Sequence, residues 1–370
     1  MTGQHGVEEL LRSAASDERV VGFAGGLPAA ERFPRRALTS AFLRAIGRRD
    51  AAALQYAWPE GLAPLRARIA ERVAQRGVVV AADDIIVTNG AQQAITLAAR
   101  LLMRRGATIG VDAVTYPSAL TAFRTLGLVP TTATRASILY RMPVVTNPQG
   151  AGMDAAARRA VLASGRFIIE DDAYADLHFA GPAPPPLLKA ARNRVAYVGT
   201  FSKTLGPGLR VGFLIVPRSL QARALRHKAD DDLQANSLSQ LIVQEYLAHN
   251  DFDAFLVRLR RHYAQRARRL MAAVRHHLPS WTFEPPAGGF GLWVRADDRV
   301  DEVALLRHSV RAGVSFDPGS SFTCVAPAAD QPTTMRLCFS SVAEDAMDEG
   351  VQRLARVWRS TVRDRGRAPR

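Results

Sequence analysis

A chain of 370 residues, 48% of them hydrophobic, is long enough to bury a substantial core, arranged as two domains or as one large domain with a smaller companion. A net charge of +15 attracts anions, but the arginines are scattered over helical stretches such as 63–76 and 258–275, which fits a solvated, arginine-biased surface and argues against a nucleic-acid site. Two cysteines, Cys324 and Cys338, give neither a disulfide framework nor a metal-ligand spacing, and no apolar run reaches the roughly 18 residues a membrane helix needs. The expectation is a cytoplasmic protein without metal or membrane.

Residues 1–19 read as a polar lead with one amphipathic patch at 7–11, too short for a DNA-binding domain and lacking a signal peptide's apolar region. In the segment 20–34, Gly25-Gly26 marks a turn. Helices are expected over 35–47 and 62–75, joined by the loop Leu-Gln-Tyr-Ala-Trp-Pro-Glu-Gly at 54–61, where Tyr56 taken alone reads as a buried loop aromatic. A strand at 85–88 runs into Asn89-Gly90-Ala91-Gln92-Gln93 and an alanine-rich helix. Strand, small-residue turn and helix start gather backbone N–H groups and the helix dipole at one point, a ready anion site.

A strand at 108–111 ends in a loop containing Tyr116-Pro117, and an extended stretch at 141–145 leads to the turn Asn147-Pro148-Gln149-Gly150. The apolar strand 166–170 ends in Asp171-Asp172-Ala173-Tyr174. Adjacent acids serve a solvated turn or a metal, whereas a carboxylate at the mouth of a parallel strand can also keep a pyridine nitrogen protonated.

The strand 194–199 delivers the stretch Gly-Thr-Phe-Ser-Lys-Thr-Leu-Gly-Pro-Gly-Leu-Arg-Val-Gly at 199–212. Lys203 is one of three lysines, with Lys189 and Lys228, in a chain that uses arginine for its other permanent cations. A guanidinium stays protonated, while a lysine amine can lose its proton and form a Schiff base. Thr200, Ser202, Gly206, Gly208 and Arg210 around it make a phosphate cup, just past a strand's C-terminal end where open α/β sheets bind ligands.

A strand at 211–216 is expected to close the central sheet, followed by long helices over 219–251 and 253–278, a glycine turn and strand at 286–294, a helix at 300–312, an extended piece at 314–318 and a strand at 334–340. Arg336, flanked by apolar neighbours in that last strand, reads either as a salt-bridged structural arginine or as one that grips a carboxylate with two parallel bonds. Strands alternating with helices from 85 to 216 predict a mostly parallel sheet.

The 199–212 stretch, with the turn at 89–93, Asn147-Pro148-Gln149-Gly150, the Asp171/Tyr174 spacing and Arg336, closely resembles fold-type I pyridoxal-5'-phosphate (PLP) enzymes, specifically the class I/II aminotransferases near the 2-aminoadipate and kynurenine aminotransferases. The likeness spans about residues 25–340. The same module is fused to a winged helix in one group of bacterial regulators, from which the short lead separates this chain. The resemblance implies a fold-type I PLP-dependent transferase: α/β, a mostly parallel central sheet flanked by helices, and a smaller α+β domain. It divides the chain into a segment 1–34 covering the substrate site, a PLP-binding domain 35–258 and a small domain 259–370.

By the same resemblance Lys203 carries PLP and moves the substrate proton, Asp171 faces the pyridine nitrogen, Tyr116 stacks on the ring, and Asn147 and Tyr174 bond the phenolic oxygen. Gly90, Ala91, Gln92, Thr200, Ser202 and Arg210 surround the phosphate, with Tyr56 reaching it across a dimer interface. Ala91 departs from the serine often found there, which shifts the expected burden to Thr200, Ser202 and Arg210; Asp172 is left without a role. Arg336, Asn147 and Gly26 meet the substrate, and Gly291, smaller than the usual apolar residue, is expected to widen the pocket. The implied function is PLP-dependent transfer of an amino group between an amino acid and a 2-oxo acid, in a homodimer with shared active sites. The alternatives are another PLP reaction, such as elimination, decarboxylation or oxidation, and a non-catalytic effector-binding protein on the same fold, against which intact Lys203, Asp171 and Arg336 argue.

Overall fold

The structure, a computed structural model, describes residues 2–104, 106–133, 135–325 and 331–367. Among these the chain runs α1 (Thr2–Ala15), β1 (Val21–Phe23), α2 (Arg35–Ile46), α3 (Ala63–Gln75), β2 (Ile85–Thr88), α4 (Ala91–Leu102), β3 (Thr108–Gly110), α5 (Pro117–Thr125), β4 (Val129–Thr131), β5 (Ile138–Arg141), α6 (Ala155–Ala163), β6 (Phe167–Asp171), β7 (Val195–Thr200), β8 (Gly212–Ile215), α7 (Arg218–Asp232), α8 (Ser237–His249), α9 (Phe252–His277), β9 (Thr282–Phe283), β10 (Gly291–Arg295), α10 (Glu302–Arg311), β11 (Val314–Pro318), β12 (Thr334–Cys338) and α11 (Ala346–Arg367).

One sheet has the order β2-β8-β7-β6-β5-β3-β4. Its strands β4, β3, β5, β6 and β7 pair in parallel, and β8 lies antiparallel between β7 and β2. Alternate residues feed opposite faces, as the pleat requires. Ile86, Ile169, Ala196, Val198 and Leu214 join the core beneath α4, α5 and α7, while Ile85, Val87, Ile168, Val195 and Ile215 join the core on the other side. A sheet buried on both faces explains why these strands read as continuous apolar runs. Each fully buried Ile, Leu or Val contributes about 1.5–3 kcal/mol, so loss of any one central side chain would be felt.

The second sheet has the order β1-β11-β12-β10-β9, with β1 parallel to β11 and the remaining pairs antiparallel. The helix α9 connects the two sheets, packing on α11 and β10.

Several expectations change. The segment 219–251 is two helices: Leu233 turns left-handed at φ 61°, and the Asn236 side chain then caps α8 by accepting from the Ser239 N–H at 2.8 Å. The polar lead forms α1, because Val7 and Ala14 are buried and Leu10 and Leu11 pack on the core. The segment 1–34 is more than a cover, since β1 extends the second sheet. β8 does not close the first sheet but lies inside it, with β2 at the edge. The edge strand β4 went unread because Pro130 interrupts it, and an edge is where a strand tolerates proline. The short basic stretch at 363–370 is not a separate tail, since α11 runs on to Arg367; residues 368–370 lie outside the described residues. Among the described residues no helix is long and apolar enough to cross a membrane.

Candidate active site

The parallel strands of the first sheet end toward one cavity of about 140 Å³. Ala91, Gln92, Tyr116, Asn147, Asp171, Tyr174, Thr200, Ser202, Lys203 and Arg210 all line it. The structure therefore brings together residues spread over 120 positions of sequence, from Ala91 to Arg210.

At one end β2 stops at Thr88 and α4 starts at Ala91, with Gly90 between them at φ 83°. A Cβ on Gly90 would lie 2.5 Å from Arg210 Nη2, and one on Gly212 would lie 2.6 Å from the Gly90 carbonyl carbon, so both closely approaching backbones need glycine. Arg210 is itself left-handed, at φ 53°, and its Nη2 donates to the Asn89 carbonyl at 2.9 Å. The Thr200 hydroxyl lies 3.0 Å from Ser202 Oγ and donates to the Val211 carbonyl at 3.0 Å. Gln92 Nε2 donates to the Ser118 carbonyl at 3.0 Å. The result is a concave group of helix N–H donors, two hydroxyls and a guanidinium.

A brace behind this turn was missed in the sequence. Asp232 accepts from Asn89 Nδ2 at 2.6 Å and Gln93 Nε2 at 2.7 Å, and its other oxygen takes Lys228 Nζ at 2.5 Å. Lys228 is fully buried. The rarity of lysine in this chain was a usable signal for it.

At the other end Asp171 closes β6. Its Oδ2 accepts from the buried Tyr140 hydroxyl at 2.6 Å and its Oδ1 from the Ala173 N–H at 3.2 Å. Burial pushes the carboxyl up from its ordinary value, opposed by those two hydrogen bonds and by the charge of Lys203. Asp172 has a different, structural role: Tyr197 donates to its Oδ2 at 2.8 Å and Arg76 Nη1 at 3.0 Å. It lines a larger cavity of about 310 Å³ with Arg72, Arg76, Asp176 and Asp253, where arginines and aspartates pair with one another.

Lys203 Nζ lies 5.2 Å from the Tyr174 ring centroid and 5.6 Å from that of Phe290, which meet edge to face. Arg336 is buried and pairs with Asp317, and its Nη1 donates to Asn147 Oδ1 at 2.7 Å. Asn147 is thereby oriented, with its amide nitrogen left to donate. Gly26 faces the guanidinium: a Cβ there would lie 3.3 Å from Nη2. Both readings of Arg336 are thus compatible, because its salt bridge leaves donors free. Gly291 does not widen the pocket. The space beside it holds the arginine's stem, since a Cβ at Gly291 would meet Arg336 Cγ at 2.8 Å and Cδ at 2.9 Å.

Tyr56 does not line the cavity of its own chain, nor is it a buried loop aromatic; it is 78% exposed. Tyr140 and Asp317 were also missed. Each is a buried polar group on a strand, a setting that demands a partner.

The family described as aminotransferase class I and II matches residues 31–137 and 143–354. The chain is 32% identical to the 2-aminoadipate transaminase of Thermus thermophilus, over 95% of this chain and 92% of that one. It is 30% identical to the aromatic-amino-acid aminotransferase 1 of Thermococcus litoralis, over 94% and 90% respectively. Among solved structures, the α-aminoadipate aminotransferase of Thermus thermophilus complexed with N-(5'-phosphopyridoxyl)-L-leucine superposes with a TM-score of 0.86 at 30% identity, over 97% of this chain and 95% of that one.

Proposed function

This chain belongs to the class I and II aminotransferase family, PLP-dependent enzymes that move an amino group between an amino acid and a 2-oxo acid, and we propose that Lys203 carries its cofactor while Asp171 holds the cofactor ring. The observation that carries this reading is that Lys203, Asp171 and an anion cup of Ala91, Gln92, Thr200, Ser202 and Arg210, backed by Gly90, share one cavity. The donor chemistry fits PLP. The cup at Gly90, Thr200, Ser202 and Arg210 suits a phosphate, and a buried carboxylate such as Asp171 calls for a cationic partner, which a protonated pyridine supplies.

Bound PLP supplies an electron sink that spreads the charge left when a substrate loses its Cα proton. Asp171, braced by Tyr140, keeps the ring nitrogen protonated. Tyr116, on the cavity wall, would cover the ring and exclude water. The Asn147 amide and the Tyr174 hydroxyl would donate to the phenolic oxygen. Thr200, Ser202, Arg210, Gln92 and the Ala91 N–H would take the phosphate, with Gly90 allowing the backbone to approach closely while its own N–H donates to the Thr88 carbonyl at 2.8 Å; Ala91 offers no hydroxyl. Lys203 Nζ takes the Cα proton as general base and returns it as acid. Arg336, with Gly26 and Asn147, orients the substrate carboxylate.

The reading includes a homodimer in which Tyr56 completes the phosphate site of the second subunit. Its support is a loop whose Leu54, Tyr56 and Trp58 are all at least three-quarters exposed. The division into a cover at 1–34, a cofactor domain at 35–258 and a small domain at 259–370 is supported by the two sheets, with β1 crossing from the first segment into the last. The test is a half-reaction with a panel of amino acids. Without an acceptor the holoenzyme should release one equivalent of 2-oxo acid per site and stop, then resume when 2-oxoglutarate is added. Continuous release without an acceptor would mean a lyase or oxidase.

A further inference from the structure

Asp317 is a buried acid on β11 that the roles above do not use. Its Oδ2 accepts from Arg336 Nε at 2.9 Å and Nη2 at 2.8 Å, and the Gly25 N–H lies 3.1 Å from each of its oxygens. One carboxylate thus fastens the turn over the site to the side edge of the arginine beneath it.

The rest of Arg336 is equally constrained. Its stem lies on Gly291, its guanidinium sits 4.7 Å above the Phe322 ring, and Nη1 donates to Asn147. A guanidinium has five N–H groups. With Nε, one N–H of Nη2 and one of Nη1 engaged, one remains on each terminal nitrogen, and Gly26 leaves room beside them.

We propose that Asp317 is a positioning and specificity-determining residue: it fixes Arg336 so that only its terminal N–H pair meets a substrate α-carboxylate, and it latches the Gly25–Gly26 turn over that contact. The proposal rests on the reading of Arg336 as the carboxylate-binding arginine. Because Asp317 already balances the guanidinium charge, recognition depends on the geometry of two parallel bonds more than on net attraction. Both half-reactions use this contact, since the amino acid and the 2-oxo acid each carry the carboxylate.

The experiment compares wild-type, Asp317→Asn and Arg336→Gln holoenzymes by steady-state kinetics and by amide hydrogen exchange of the peptide covering residues 21–28. Asp317→Asn should raise KM for the amino acid and the 2-oxo acid alike by roughly tenfold, with kcat changed by less than about threefold. Exchange in the 21–28 peptide should quicken by about threefold or more. Wild-type values in either readout overturn the proposal. Should Arg336→Gln leave KM unchanged, the arginine reading itself fails. If Arg336→Gln raises KM and Asp317→Asn does not, only the role of Asp317 falls. If Asp317→Asn does not fold, Gly26→Ala carries the kinetic test: a methyl 3.3 Å from Nη2 should raise both KM values, and wild-type KM values would overturn the proposal.

Discussion

The Tyr140 hydroxyl donates to Asp171 Oδ2 at 2.6 Å, with both side chains out of water. A neutral donor held against a dry carboxylate fixes which oxygen lone pairs face the cavity and helps keep the charge there. Tyr140→Phe removes one hydrogen bond to a charged group and almost no volume. Such a bond contributes about 1.5–3 kcal/mol, only part of which reaches the cofactor. PLP should dissociate faster and kcat/KM should fall by roughly tenfold, as followed by cofactor absorbance and initial rates. Unchanged values in both would make the tyrosine a packing residue only.

At the anion cup, Gly90→Ala should cost more in cofactor affinity than in stability. The backbone there has φ 83°, and the added methyl would overlap Arg210 Nη2 at 2.5 Å, so the guanidinium must leave the phosphate side. Titration of apoenzyme with PLP should show Kd rising by on the order of a hundredfold, while the melting temperature falls by only a few degrees. Wild-type affinity would mean that Arg210 lies outside the phosphate site.

Dimerisation is tested through Tyr56, which no longer competes for a place in its own chain's core at 78% exposure. Sedimentation should find a dimer in active enzyme, and Tyr56→Phe should weaken PLP by about tenfold, the scale of one hydrogen bond to a charged phosphate. Mixed dimers of Tyr56→Ala and Lys203→Ala chains should regain activity in one of their two sites. An active monomer would contradict shared sites.

Much of this arrangement was legible in the sequence because the residues lining the cavity lie where strands of a doubly buried sheet end, and each such end carries a short, chemically distinctive string. Lys203, Asp171 and Asn147 stood out that way, and all three line the cavity. What could not be read depended on distant parts of the chain meeting. Tyr140 gains its meaning only from the parallel register that sets β5 beside β6, and Asp317 only from pairing with Arg336 across β11 and β12. Lys228 reaches the turn only through Asp232, which lies one helical turn on in α7 and takes Asn89 and Gln93 from 143 and 139 positions earlier. The break at Leu233 also escaped notice, because a left-handed leucine has no local signature, although Asn236 was there as a cap.

Stability should depend on pH through His262. Burial chiefly, with the nearby charges of Arg266 and Arg32, pushes its imidazole down to about 4. Its Nε2 is buried without a hydrogen-bond partner. Since the folded value is depressed below the ordinary 6.5, the unfolded chain binds more protons between about 4 and 6.5. This contribution is therefore present above 6.5 and is lost as pH falls toward 4. Urea melts of His262→Gln should show a shallower decline across that window than wild type. An equal slope would show that other groups set the acid limb.

The central claim is that one particular amine holds the cofactor. Borohydride reduction of the holoenzyme followed by peptide mapping should place the phosphopyridoxyl group on Lys203, and Lys203→Ala should yield no labelled peptide and lose turnover by on the order of a thousandfold. Label on Lys189 or Lys228, or ordinary turnover by Lys203→Ala, would contradict the account.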